Sequence, residues 1–109
     1  MEFTFVYITC PDKETAIRLA KGAVEAKLAA CANILTGMIS VYEWENALQT
    51  DEETVLLIKT RRVLTGELTA WIENHHPYSV PCIVQLPITD GNASYLKWLV
   101  DQTRDPNGI

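Results

Sequence analysis

Apolar positions follow two periods along this chain, and the period changes mark the elements. Phe3 to Thr9 is dense in aromatic and β-branched residues and stops at Cys10-Pro11-Asp12, which predicts a strand running into a turn. Asp12 can cap the next helix. Ile17, Ala20, Val24 and Leu28 recur at helical spacing, with Lys13, Arg18, Lys21, Glu25 and Lys27 mainly on other faces, so an amphipathic helix is expected from about Lys13 to Ala30. Gly22 inside it costs roughly 1 kcal/mol against Ala, which points to close packing there.

Ala32 to Glu45 is a long strand-like segment interrupted at Thr36-Gly37, and Glu53 to Thr60 is a second, centred on Val55-Leu56-Leu57-Ile58. A polar turn is expected from Asn46 to Asp51, making the pair a hairpin with Gly37 placed for a bulge. Leu64, Leu68, Trp71 and Ile72 mark a second helix from about Val63 to Asn74, which Pro77 ends by forcing His76 toward an extended backbone. Cys82 to Ile88 is a short strand whose Pro87 suits a sheet edge. Asp90-Gly91-Asn92 turns the chain into a third helix with Tyr95, Leu96, Leu99 and Trp98 as its buried stripe, and Arg104-Asp105-Pro106-Asn107-Gly108 is expected to fray.

The order β-α-β-β-α-β with an added C-terminal helix predicts an α+β, ferredoxin-like fold in one domain over residues 1–109: an antiparallel sheet with both main helices on one face. One disproportion stands out. Hairpin arms of roughly 14 residues extend ~45 Å, whereas the first helix covers only ~27 Å. Part of the hairpin must overhang, carrying Val41, Tyr42, Trp44 and Leu48. An exposed apolar strand edge is normally paired or covered, so a symmetric homo-oligomer built by strand addition is expected.

Composition narrows the function. With 48% hydrophobic and 21% charged residues in 109, the chain is an ordinary globular domain. A net charge of −5 works against nucleic acid as a partner. No apolar run approaches the roughly 20 residues of a membrane helix, and the N-terminus lacks a basic then apolar secretory segment, so the expected address is the cytoplasm. Cys10, Cys31 and Cys82, odd in number and without CxxC spacing, are expected as reduced thiols. Signatures of enzymes are mostly absent: there is no GxSxG, no GxxxxGK[ST], no GxGxxG and no HExxH, while spacing leaves a Cys-His nucleophile pair open.

His75-His76-Pro77-Tyr78 is the most unusual string. Two histidines at a helix end can ligate a metal, or sit as solvated groups near the negative end of the helix dipole. Both readings remain open from the residues alone, since adjacent helical side chains point about 100° apart unless the second leaves helical geometry. Cys10 and Cys82 stand at strand ends beside prolines, where thiolates with imidazole would suit copper or zinc; Cys31, among alanines, reads as a small buried hydrophobe. Lys59, after four apolar residues, either snorkels to an edge or pairs with an anion. Trp44, Tyr42 and Tyr78 are candidates for lining a small-molecule cleft, with interface packing the favoured reading for the first two.

Several blocks together, Thr9-Cys10-Pro11-Asp12, Lys27-Leu28-Ala29-Ala30-Cys31-Ala32-Asn33-Ile34, Val41-Tyr42-Glu43-Trp44, Leu57-Ile58-Lys59-Thr60, His76-Pro77-Tyr78, Leu86-Pro87-Ile88 and Tyr95-Leu96-x-Trp98, resemble the CutA family of divalent-cation tolerance proteins across nearly the whole chain. The resemblance implies a cytoplasmic homotrimer whose hairpins pair between subunits, linked to tolerance of divalent metals, with Cu(II) foremost and no catalytic activity. It places metal-associated positions at His75 and His76, with a cysteine near the end of the first strand. Cys10 stands for that cysteine here, slightly downstream of the family position, which falls on Ile8. Cys82 replaces a glutamate usual in the family, exchanging hard oxygen for soft sulfur. Tyr42, Trp44, Lys59, His76 and Tyr78 match residues lining the inter-subunit cleft. A second reading is a regulatory trimer binding a small anionic metabolite in that cleft.

Overall fold

The computed structural model describes residues 1–106. Four strands form one antiparallel sheet: β1 (Phe3–Cys10), β2 (Cys31–Trp44), β3 (Ala47–Arg61) and β4 (Ile83–Ile88), in the spatial order β2-β3-β1-β4. Three helices accompany them, α1 (Lys13–Glu25), α2 (Thr65–His75) and α3 (Ala93–Gln102), with a 3-10 turn over Arg62–Leu64 leading into α2. Residue alternation sorts the sheet's two faces. Val6, Ile8, Leu56 and Ile58 point to one face and join Ala16, Leu19, Ala20, Ala23, Leu64, Leu68 and Ile72 in a single core under α1 and α2. The other face carries Phe5, Tyr7, Leu57 and Lys59, all half-buried, and α3 covers part of it by burying Leu99 completely.

α1 begins as its sequence predicts, with the Asp12 carboxylate accepting from the Thr15 N–H at 2.7 Å. It ends five residues earlier than Ala30. Lys27 takes a left-handed backbone, φ 61°, while the Leu28 N–H reaches the Ala23 carbonyl and the Lys27 N–H that of Val24. This is the Schellman pattern, built here on a lysine rather than a glycine. The buried stripe is also rotated by about one position from the expected one: Ala16, Leu19, Ala20 and Ala23 face the core, and Val24 is exposed. Small residues line that stripe because α2 packs close, and at neighbouring Gly22 a Cβ would come within clashing distance of the Trp71 ring.

The hairpin is longer and tighter than its sequence predicts. The expected turn over Asn46–Asp51 is strand from Ala47 onward, and the reversal is made by two residues, Glu45 and Asn46, with φ 51° and 64°. Two consecutive positive φ values define the primed turns whose twist matches a hairpin's. Gly37 sits in a bulge, with φ 82°, where the pairing steps from Leu35↔Val55 to Met38↔Glu53 and β2 gains one residue. β1 pairs with β3 only from Thr54 to Arg61, so residues 47–53 have β2 as their sole neighbour. That unflanked ribbon exposes Ile39, Val41, Trp44 and Leu48, the last at 76%. Pro87 lies on the edge strand β4, where its missing N–H costs no ladder bond.

Two features at the C-terminal end differ from expectation. Trp98 is 41% exposed, because α3 turns Leu99 inward instead. The tail is tied at Thr103–Asp105 by bonds to Arg61, Lys27 and Glu67 rather than frayed; Asn107 and Gly108 lie outside the described residues.

Replacing Gly22 by Ala is expected to destabilise the fold by about 1–2 kcal/mol, the overpacking against Trp71 outweighing the ~1 kcal/mol gain in helix propensity. Urea midpoints of the two proteins measure it; an equal or higher midpoint for Gly22→Ala would show that the indole yields freely.

Candidate functional site

Where β1 ends, the ribbon begins and the loop after α2 returns, polar side chains from four segments meet. His76 leaves the helix with an extended backbone, φ −82° and ψ 138°, as the following proline requires. Its ring lies 8% exposed, with Nε2 2.8 Å from the Thr9 carbonyl and Nδ1 3.1 Å from the Tyr78 N–H. A carbonyl only accepts and an amide N–H only donates, so Nε2 carries the proton and Nδ1 accepts. Both nitrogens are thereby occupied, leaving no lone pair free for a metal. His76 joins the loop to the end of β1.

Tyr78, brought round by that loop, donates from its hydroxyl to Glu53 Oε2 at 2.8 Å. Glu53 is only 9% exposed and is the last residue of the ribbon before β1 begins to cover β3. Its charge adds to the effect of burial on three neighbouring groups. Burial pushes the Cys10 thiol from 9.0 up to about 11, with the Asp12 and Glu53 carboxylates adding to the rise and Arg18 opposing it. Cys82 is raised by burial and then by Glu53. Tyr78 is held well above the usual phenol range, first by burial and then by its bond to Glu53. Beside them, Tyr42 donates to Asp51, which raises its own phenol, and the Tyr7 hydroxyl contacts Met38 Sδ at 3.3 Å.

Of the residues singled out in the sequence, Tyr78 bonds this carboxylate directly and His76 holds the loop that carries Tyr78, while Cys82, Tyr42 and the core residue Cys10 lie within range of its charge. Trp44 is further along the ribbon, next to its turn and 53% exposed. His75 goes elsewhere: its ring stacks on Trp71 at 4.2 Å between centroids, and its Nδ1 donates to the Trp71 carbonyl at 2.7 Å, leaving Nε2 unused. Lys59 lies on the second sheet face, in the row Cys31, Lys59, Phe5, Leu86, with Nζ 5.4 Å from the centre of the Tyr95 ring. All three cysteines are free.

Glu53 escaped the sequence reading. Its only signal is parity: it shares alternation with Val55, Leu57 and Lys59, which places a carboxylate on a half-covered face. As a metal centre this cluster is incomplete within one protomer. Among the described residues no three His, Cys, Asp or Glu side chains are grouped closely enough to hold an ion. His76 offers no lone pair, and the thiols are held protonated. A closed donor set would need groups from outside this chain or displacement of those protons.

The geometry is thus that of an α+β domain with an unflanked β-ribbon and a polar cluster at its root. The family model for CutA1 divalent ion tolerance protein matches residues 4–102, and the chain belongs to that family. A chloroplastic CutA protein of Arabidopsis thaliana is 48% identical over 100 residues, covering 92% of this chain and 55% of that protein. The divalent-cation tolerance protein CutA of Thermus thermophilus is 45% identical over 98 residues, covering 90% of this chain and 95% of its own. The crystal structure of CutA1 from Oryza sativa superposes with a TM-score of 0.94 at 47% identity, with 96% of each chain covered. This chain spans little more than half the length of the plant relatives it matches.

The raised Cys10 thiol has a signed consequence. Below pH ~9 the thiol is protonated in folded and unfolded chains alike; between 9.0 and about 11 the unfolded chain loses the proton first, so stability falls as pH rises through that window. Denaturation midpoints at pH ~8 and ~10.5 should drop more in the wild type than in Cys10→Ala. Equal drops would remove Cys10 from the titration.

Proposed function

We propose that the chain works as a cytoplasmic, non-catalytic homotrimer of ferredoxin-like subunits that binds a divalent cation, copper foremost, in divalent-ion tolerance. The unflanked ribbon carries the reading. Residues 38–44 and 47–53 lack flanking strands and expose large apolar side chains, an arrangement that a second copy can complete by edge pairing. The strand order β2-β3-β1-β4 supports the ferredoxin-like reading. No helix among the described residues is long and apolar enough to cross a membrane.

For the cation, Cys10, Cys82 and Glu53 are candidate donors that are not grouped closely enough within one chain to hold an ion, so a neighbouring copy completes the set where the ribbon meets it. His75, with Nε2 free, is a separate donor. Uptake at the thiols releases protons, so affinity rises with pH. Sedimentation at micromolar concentration is expected to give a species about three times the 12.2 kDa chain. Cu(II) titration of the Cys10→Ser/Cys82→Ser double variant is expected to show at least a tenfold loss of affinity, as is usual when ligands are removed. Monomers throughout would overturn the assembly, and unchanged copper affinity would remove the thiols.

Lys59 favours a second reading, an anionic metabolite in the inter-subunit cleft. Its half-buried ammonium has no carboxylate within ion-pair distance among the described residues and rests over Tyr95. On that reading a metabolite panel raises the melting temperature of the wild type and not of Lys59→Ala.

A further inference from the structure

α3 is the least well anchored of the three helices. It has ten residues, buries one side chain fully, and starts at Asn92 without a side-chain cap. Neither an acidic residue in its first turn nor a basic one in its last complements the helix dipole. A helix this short is marginal by itself, so its order depends on tertiary ties. Those ties concentrate just beyond its C-terminus.

β2 covers β3 only as far as Lys59, so the end of β3 is flanked on that side by the link after α1 and by the segment after α3. Arg61, 6% exposed, donates from Nε to Thr103 Oγ1 at 2.9 Å and from its terminal nitrogen to the Arg104 carbonyl, with Asp105 3.9 Å away. The Arg104 N–H donates to the Lys27 carbonyl at 2.9 Å, and its guanidinium reaches Glu67 of α2. Three consecutive residues thus tie α3 to β3, to the end of α1 and to α2. The Arg104–Glu67 pair is about one-third exposed, and Arg104 Nε is buried with no partner among the described residues. A buried donor left unpaired costs free energy, which lowers the cost of opening this tie.

We propose that α3 is a hinged cover on the second face of the sheet, held shut by the clasp of Arg61, Thr103 and Arg104 with Glu67, and that it opens as a unit while the core stays folded. The part of the face beneath it includes Lys59, which the Tyr95 ring shields. Opening releases that ring and exposes the half-buried ammonium further. Such motion belongs to this chain whatever it binds, and so does not depend on the cation or metabolite readings.

Native-state hydrogen exchange with mass spectrometry tests it on the wild type, Glu67→Gln and Arg104→Ala, together with reductive methylation of Lys59. In the wild type, α3 amides are expected to exchange well ahead of those in β1. Both variants should speed α3 exchange on the order of tenfold, as loss of a charge-assisted bond implies, with β1 unchanged and Lys59 methylation rising in step. The conservative Glu67→Gln keeps the test available if Arg104→Ala does not fold. Exchange of α3 in step with β1, or faster α3 exchange with no change at Lys59, would overturn the proposal.

Discussion

Unequal coverage of one strand is the constraint on which the rest of the molecule depends. β3 has 15 residues, but β1 can flank only the eight from Thr54 to Arg61. Within those eight the strand is central and builds the core through Leu56 and Ile58. Beyond them it has a single neighbour and water. Backbone donors and acceptors on an unflanked ribbon invite another strand, and its apolar side chains reinforce that pull. The boundary between the two regimes falls at Glu53, and the polar cluster assembles there.

That cluster is organised by what each group can still do. His76 spends both nitrogens on the backbone and fixes the loop after α2 to the end of β1. The loop in turn delivers Tyr78 to Glu53. Burial first, and nearby carboxylates after it, keep the thiols of Cys10 and Cys82 protonated at neutral pH. The arrangement therefore favours a ligand able to displace protons from sulfur, and disfavours casual oxidation or alkylation of Cys10, whose thiolate is scarce.

Much of the fold was legible because it rests on local chemistry: the Asp12 cap, the Gly37 bulge, Pro87 on an edge and the extended His76 each come from one or two residues. The length argument for an overhang was also sound, since arms of 14 and 15 residues emerge beside a much shorter β1. Failures came where tertiary packing overrode local preference. Asn46 to Asp51 looks like a loop by polarity, yet from Ala47 onward it pairs as strand because the ribbon's faces are open to solvent and tolerate polar residues. Lys27 ends α1 in a conformation that residue type alone does not advertise. Of the candidate site, the sequence singles out Tyr78 and His76 by their unusual string, but not Glu53, because burial of a single carboxylate leaves only a parity signal. Joining His75 to His76 failed for a geometric reason: the helix ends between them, and their rings part.

The two-residue reversal at Glu45-Asn46 makes the ribbon a ruler. With no slack at the tip, the distance from Glu53 to Trp44 is set by counting residues along paired arms. A single insertion in one arm would turn every later side chain to the opposite face unless a bulge such as that at Gly37 absorbs it. Its reach is therefore lengthened or trimmed in matched increments or at a bulge, and the spacing between the cluster at its root and whatever meets its tip is quantised.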